Sequence, residues 1–501
     1  MSIKKLAGQT LWYGIPSIAT RFIGYILNFS LIFLYRALDT ADLTQIYAIF
    51  PFLNILFTYG VETGYFRFIQ QYSAKKLYQT LSISLLVSTV LLTGILLFFQ
   101  DALVTFTAME ASPQFITWMA YIVFFDTLST LPFAKLRQEE RPRKYAFIKM
   151  IGVVVNVLLV FWYIGICPGL AQSHPGSLLT LGYHEDIGIG YYLIGNIVGS
   201  VLTFLLLLPE FKGFRFEFDT ALWKEVMRYS MPLIIVGLGG MINDMLSRLV
   251  FQHVTDLPAA EAKHQLGVFA ANYRLAILIT IFIQMFRMAA EPFFFNQSKN
   301  KNAPETYARV MHYFVMACSF MFLMVGLYLD VFKTIMTLKY SDYGEGIHIV
   351  PILAMGGVFL GIYYNLSIWY KLTNRNWYGA GITLAGAIIT ILLNILWIPK
   401  YGYTGSAWAT FICYLFMMLV SYAMGQKYYR IPYDVKTIGA YLLSIVLLTL
   451  LSGYLNDFVD SVFAKAGIST LLLIVYVGMV MVFDRKSLAA LPVVGRYFGK
   501  G

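Results

Sequence analysis

Ionisable side chains lie inside stretches of this sequence that are otherwise apolar enough to enter a bilayer. The stretch MPLIIVGLGGMINDMLSRLVF (231–251) contains Asp244 and Arg248. Each of them costs about 2.5–3.5 kcal/mol near the centre of a spanning helix, so a charge kept there marks a functional site by default. Further residues of this kind occur in other apolar stretches: Arg21, Glu62, Asp126, Arg274, Arg287 and Glu291.

Two pairs among these charges allow a structural explanation. Asp244 with Arg248, and Arg287 with Glu291, are spaced i, i+4 and can neutralise each other on one helix face. Because an unpaired buried charge is costly, this explanation stands beside a functional one for both pairs.

Arg21 and Arg274 have no acidic residue within a turn of their own helices, so they are stronger candidates for binding a ligand. Asn28 shares a helix face with Arg21 and joins the predicted substrate site. Arg287 is a fourth candidate, although its thirteen-residue separation from Arg274 turns the two about 220° apart on one helix. The planar donor fork of arginine suits phosphate, and the surplus of arginine therefore predicts an anionic, amphiphilic substrate.

Other polar residues in apolar stretches have simpler explanations. The single amides are predicted to form interhelical hydrogen bonds: Asn156, Asn196, Asn365 and Asn394. The three cysteines are widely spaced, and the histidines show no ligand spacing, so no metal site is predicted. No phosphate loop, zinc-binding helix motif or nucleophile elbow occurs, so the sequence predicts neither a catalytic residue nor a cofactor.

The composition predicts that membrane-spanning helices position these residues. Of the 501 residues, 59% are hydrophobic and only 13% are charged, about half the charge of a soluble domain. We expect about fourteen spanning helices in an all-α integral membrane protein. The net charge of +11 falls in short connectors such as KLRQEERPRKY (135–145), so nucleic acid is not an expected partner and both termini are placed in the cytoplasm.

An internal repeat predicts two lobes. YGIPSIATRFIGYILN (13–28) aligns with YSMPLIIVGLGGMIND (229–244), which matches tyrosine, proline, glycine and polar positions. We expect two six-helix lobes related by pseudo-two-fold symmetry around a central cavity, an arrangement typical of alternating-access transporters. The predicted segments are an N-terminal lobe (1–209), a cytoplasmic amphipathic linker (210–228), a C-terminal lobe (229–426), and two extra helices with a cytoplasmic tail (427–501).

Several segments resemble the polysaccharide exporters, or lipid-linked oligosaccharide flippases, of the multidrug/oligosaccharidyl-lipid/polysaccharide exporter superfamily. The resemblance covers nearly the whole chain and is carried by LWYGIPSIATRFIGYILN (11–28), YAIFPFLNILFTYGVETGYFRF (47–68), DTLSTLPFAKLRQEERPRKYA (126–146) and ITILLNILWIPKYGYTGSAWATFICY (389–414). It implies movement of an undecaprenyl-pyrophosphate-linked glycan from the inner to the outer leaflet of a bacterial cytoplasmic membrane. Membrane lipids and glycan-assembly proteins are the further partners it implies.

The same resemblance implies roles for particular residues. Related peptidoglycan-precursor flippases carry functional arginines in the first and eighth helices, which Arg21 and Arg274 match by helix and approximate depth. Those flippases also place a sodium site among the seventh, eleventh and twelfth helices. The corresponding polar groups here are Asp244, Asn394, Thr404 and Thr410, with H⁺ or Na⁺ as the coupling ion.

Three other function classes remain open on the sequence. One is a scaffold without transport activity, which would leave the buried arginines unexplained. A cation-coupled multidrug exporter of the same superfamily would prefer acidic or aromatic cavity walls, which the surplus of arginine disfavours. An integral-membrane glycan polymerase or ligase would need a large outer loop carrying arginine or histidine, and the outer connectors here are short.

Overall fold

Helices form every regular element that the computed structural model describes. The described residues run from 19 to 485, except residues 21, 70, 175, 299 and 374, and the side chains of residues 232, 288, 289, 291, 292, 295 and 296 are not among them. Packing divides the chain into two compact units, Met1–Gly267 and Val268–Gly501.

The first unit contains ten helices among its described residues and the beginning of an eleventh. Their bounds are α1 Phe22–Phe33, α2 Ala41–Thr58, α3 Val61–Phe68, α4 Ala74–Phe98, α5 Gln100–Phe106, α6 Gln114–Gln138, α7 Pro142–Val160, α8 Cys167–Ser173, α9 Tyr191–Leu207, α10 Thr220–Val254 and α11 Ala259–Gln297. Helix α6 is central, since it packs against α2, α4 and α9.

Helix α10 and the first turns of α11 pack within the first unit. Helix α10 lies against α2 and α3. At the start of α11, the Lys263 ammonium lies 2.8 Å from the Asp42 carboxylate in the first turn of α2. The predicted C-terminal lobe begins at residue 229, inside α10. That boundary follows the internal repeat and stays a prediction.

The predicted amphipathic linker does not form a separate surface helix. A short 3₁₀ turn, Leu208–Phe211, ends the helix before it, and residues 212–219 are not helical. Asp219 then caps the next helix by accepting a hydrogen bond from the Leu222 backbone N–H at 2.9 Å. From Thr220 the chain continues as α10 to Val254.

The second unit continues α11 and adds seven helices among its described residues: α12 Ala303–Gly326, α13 Leu329–Met336, α14 Val350–Leu366, α15 Ile368–Leu372, α16 Asn376–Tyr428, α17 Val435–Asn456 and α18 Val462–Phe483. Helix α14 is its core and packs against α12 and α16. Helix α16 joins two spans across a break at Gly402, whose φ of 55° favours glycine.

The described helices agree with the predicted membrane protein. Twelve of them are long and apolar enough to cross a bilayer. One of these is the 53-residue α16, which joins two of the predicted spans, and the shorter apolar α1 lies where the first span was predicted. The all-α multi-spanning fold predicted from the sequence is confirmed.

Candidate functional site

A polar cavity of about 340 Å³ lies inside the first unit. Its walls come from α2, α3, α6, α7 and α9, and several of its polar side chains lie well within spanning segments. The ones that bear on its chemistry are Glu62, Asp126, Arg137, Lys149, Asn156 and Asn196. With two carboxylates and two cations, the described wall of this cavity is balanced in formal charge.

Glycines on α7 and α9 create the close crossing that brings two of these amides together. A Cβ added to Gly199 would lie 2.7 Å from the Gly152 carbonyl oxygen, closer than real Cβ atoms approach. At this crossing the Asn156 Nδ2 donates to the Asn196 Oδ1 at 2.6 Å. Asn196 also donates to the Tyr47 hydroxyl of α2. The predicted interhelical role of these two asparagines is confirmed.

The charged groups of the cavity lie on neighbouring helices. Arg137 at the end of α6 forms an ion pair with Glu62 of α3, and its guanidinium lies 5.2 Å from the centroid of the Phe66 ring. Asp126 lies near the middle of α6 with its side chain open to the cavity. Ser200 and Lys149 line the same cavity.

The second unit places Arg287 in a different setting. Its guanidinium lies 4.6 Å from the centroid of the Tyr364 ring. These two residues line a niche of about 20 Å³, little more than a water molecule needs, together with Asn365 and Lys371. The Asn365 Nδ2 is buried without a hydrogen-bond acceptor among the described residues, so the predicted interhelical bond of this asparagine is absent there.

Arg274 lies on the same helix, α11, and is 8% exposed. It interacts with neighbouring groups of the protein. The structure does not bring it into the niche that Arg287 lines.

The predicted ion-coupling residues on α16 fall into two local networks, one around Ser406 and one at His348. Asn394 is fully buried, donates to a backbone carbonyl one turn earlier and accepts from the Ser406 hydroxyl at 2.9 Å. Thr410 donates to the Ser406 carbonyl at 3.1 Å. Thr404 instead shares a hydrogen bond of 2.9 Å with His348 Nε2. The amide of Asn394 therefore bonds the two halves of α16 to each other. The ion site stays a prediction.

The remaining predicted residues are divided between described and undescribed parts of the chain. Arg21 and the side chain of Glu291 lie outside the described residues. The Asn28 Oδ1 is buried and has no donor among the described residues. Asp244 and Arg248 lie on α10 in the first unit, where each interacts with neighbouring groups.

Two cavity residues, Arg137 and Lys149, were not singled out by the sequence reasoning. Arg137 belongs to the basic segment 135–145 that was assigned to a connector, yet it lies in the last turn of α6. Lys149 lies beyond that segment, two turns into α7. A count of residues from the helix-starting Pro142 would have placed Lys149 inside the span.

Solved structures with similar folds are transporters and flippases. The lipid II flippase MurJ in an inward closed conformation superposes with a TM-score of 0.67 at 14% identity, over 94% of this chain and 98% of that one. An inward-facing multidrug resistance MATE family transporter of the MOP superfamily gives 0.61 at 15% identity, over 86% and 95%. The MATE transporter VcmN of Vibrio cholerae gives 0.53 at 13%, over 89% and 98%. No curated protein matches the chain in sequence.

These likenesses show that the chain has the fold of those transporters and flippases. Residues 6–298, more than half of the chain, match the family described as polysaccharide biosynthesis protein. The chain belongs to this polysaccharide biosynthesis family, and the resemblance read from the sequence is confirmed.

Proposed function

We propose that this protein is a flippase that moves an undecaprenyl-pyrophosphate-linked oligosaccharide from the inner to the outer leaflet of a bacterial cytoplasmic membrane by alternating access. The diphosphate is the part of the substrate that the protein must hold. Arg21, Arg274 and Arg287 are the residues proposed to bind it, and Asn28 assists.

The observation that carries this proposal is the set of donors around Arg287. The niche presents a guanidinium, the Lys371 ammonium and the unsatisfied Asn365 amide. None of the described residues that line it carries a carboxylate. Such a set favours an anion, and the planar guanidinium suits two phosphate oxygens. Since the niche is small, a diphosphate would need the Arg287 side chain to move from the Tyr364 ring.

A flippase must carry a charged diphosphate across the apolar interior of the membrane, and the donors around Arg287 suit that task. A diphosphate carried through hydrocarbon without partners faces a prohibitive desolvation cost, which a lining of arginine and amide groups lowers. The apolar tail of the lipid can stay in the bilayer meanwhile. Outward movement of an anion is favoured by an inside-negative potential at about 2.3 kcal/mol per charge per 100 mV, and exchange for H⁺ or Na⁺ would couple transport to an ion gradient.

The test is a headgroup-accessibility assay in proteoliposomes with a fluorescent undecaprenyl-pyrophosphate oligosaccharide. Arg287→Ala and Arg287→Lys should both slow movement, because lysine lacks the donor fork. Arg375→Ala is the matched control, since this guanidinium also stacks on a tyrosine, 4.3 Å from the Tyr428 ring centroid, but is exposed and does not line the niche. Equal rates for the Arg287 and Arg375 variants would contradict the proposal.

A cation-coupled multidrug exporter is the second candidate, and Asp126 is the observation that favours it. This carboxylate opens into a polar cavity within the membrane span, where a drug cation or a coupling ion could neutralise it. In the same proteoliposomes, export of a cationic dye against a sodium or proton gradient, with no lipid movement, would select this function. Dye export should then be lost in Asp126→Asn.

A further inference from the structure

A second cavity, of about 400 Å³, lies at one end of the first unit. Its wall is formed by the start of α4, the end of α6 and the turn that follows α9. These three segments belong to connectors that the sequence places on the same side of the membrane. The cavity therefore lies at the level where spanning helices meet the lipid headgroups, apart from the polar cavity deeper in the unit.

The acidic groups on its wall are already neutralised. Glu210 is only 3% exposed and is contacted by the ammonium of Lys144 at 2.5 Å, the guanidinium of Arg141 at 2.9 Å and the ammonium of Lys135 at 3.7 Å. Glu139 contacts Arg141 at 3.0 Å. The two carboxylates on the wall thus share three cations and leave no negative charge uncompensated.

Two further lysines on the wall have no such partner. Lys75 and Lys212 are exposed and form no ion pair with a described residue. Lys75 also lies in the first turn of the 25-residue helix α4, whose positive end faces the cavity through Ala74 and Lys75. The Ser73 hydroxyl accepts the N–H of Lys76 and the Ser73 carbonyl oxygen that of Leu77, so the earlier N–H groups of the turn stay available to an anion.

A buried amide supplies an independent indication of a ligand. Gln79 lies one turn after Lys75, lines the cavity and is 2% exposed. Its Nε2 has no acceptor among the described residues. Leaving such a donor unsatisfied costs about 1–3 kcal/mol, a cost that a bound oxygen acceptor would remove.

We propose that this cavity, defined by Lys75, Gln79 and Lys212, binds the phosphate of an anionic phospholipid headgroup. A lipid is the fitting source because aromatic side chains continue the cavity's rim along the connector. Phe214 lines the cavity, and Phe216, 81% exposed, stacks edge-on against it with 5.3 Å between ring centroids. Exposed aromatic rings between basic residues are typical of segments that lie in the headgroup layer.

Lipid binding can be measured without any transport. The purified full-length protein is titrated with phosphatidylglycerol in detergent, and bound lipids are counted by native mass spectrometry. Lys75→Gln and Lys212→Gln should each weaken retention roughly fivefold, and the double variant about 25-fold. Lys224→Gln is the matched control, because Lys224 is an exposed lysine at the start of α10 that does not line the cavity. Equal loss in the control would overturn the site.

Gln79→Leu separates a binding role from a structural one, since it removes the donor at nearly constant volume and charge. Weaker retention, by roughly tenfold, is the result expected if the amide binds phosphate. Unchanged retention together with a higher unfolding temperature would overturn the assignment, because Gln79 would then be an unsatisfied polar group only. A parallel titration with inorganic phosphate, followed by thermal unfolding, distinguishes the two sources of phosphate. Stabilisation by phosphate ions without retention of lipid would overturn the lipid as occupant.

Discussion

Replacing Gly199 by alanine should force α7 and α9 apart at the polar cavity. The added Cβ would meet the Gly152 carbonyl oxygen at 2.7 Å, about 0.7 Å short of the 3.4 Å at which ordinary contact begins. The obstacle is backbone, so a side-chain rotation cannot relieve it. Overpacking of this kind costs about 1–3 kcal/mol.

Gly94→Ala is the control for this substitution. Gly94 lies within α4, and a Cβ added there meets nothing within 4 Å. Both substitutions gain similar helix propensity, up to about 1 kcal/mol. The difference in stability between the two variants therefore isolates the cost of forcing the helices apart at the crossing. Thermal unfolding of the purified variants is the assay. If Gly199→Ala unfolds at the same temperature as Gly94→Ala, the close crossing does not exist as described.

A functional consequence follows from the same displacement. The added Cβ would also lie 3.4 Å from the Cβ of Asn156, whose amide donates to Asn196 at 2.6 Å. A displacement of about 0.7 Å would lengthen that bond from 2.6 Å to about 3.3 Å, beyond good geometry. We therefore expect Gly199→Ala to slow transport even at temperatures where the protein stays folded, and Gly94→Ala to leave it unchanged.

Three further substitutions test other groups. Asp126→Asn removes a carboxylate from the polar cavity and should reduce any ion-gradient-dependent transport roughly tenfold, measured in proteoliposomes with and without the gradient; the same reduction without a gradient would contradict an ion-coupling role. Arg274→Ala and Arg274→Lys should both slow lipid movement, and full activity in the lysine variant would rule out a bidentate contact. A hydrogen bond from Lys76 holds the pKa of the Asp219 carboxyl below its ordinary value. The ionised carboxylate therefore stabilises the start of α10 fully at any pH above the ordinary pKa of aspartate. This stabilisation is lost as the pH falls through the lowered pKa of the folded protein. Asp219→Ala should remove that pH dependence and the helix cap together, whereas Asp219→Asn should remove only the former, as hydrogen exchange in the first turn of α10 would show.

The fold was largely predictable because its main determinant is local. Runs of about 20 apolar residues define each span, and even the break in α16 was marked by a Pro-Lys-Tyr-Gly turn that ends at Gly402. The sequence predicted that Asn156 and Asn196 would each form an interhelical hydrogen bond, since an amide within a span needs a partner. Which amides would meet was not predictable, because that depends on how closely α7 and α9 approach at Gly152 and Gly199.

The site was less predictable because charges near helix ends can face either way. Arg137 belongs to a basic segment whose composition indicates a connector, yet its side chain lines the polar cavity, as does that of Lys149 near the start of α7. Conversely, Asn394 resembles a ligand in the sequence, but the break in α16 brings Ser406 to its carbonyl oxygen. Only tertiary packing decides between these outcomes.

The distribution of charge provides a way to separate the two proposed functions. In the first unit the described cavity balances two carboxylates with two cations, so it offers no net attraction to a diphosphate. In the second unit the donors cluster around Arg287 without a described carboxylate on the wall. Lipid transport by a flippase should therefore require Arg287 whether or not an ion gradient is present. It should require Asp126 only when an ion gradient drives the transport. An exporter of cations should show the opposite dependence, with Asp126 required throughout and Arg287 dispensable.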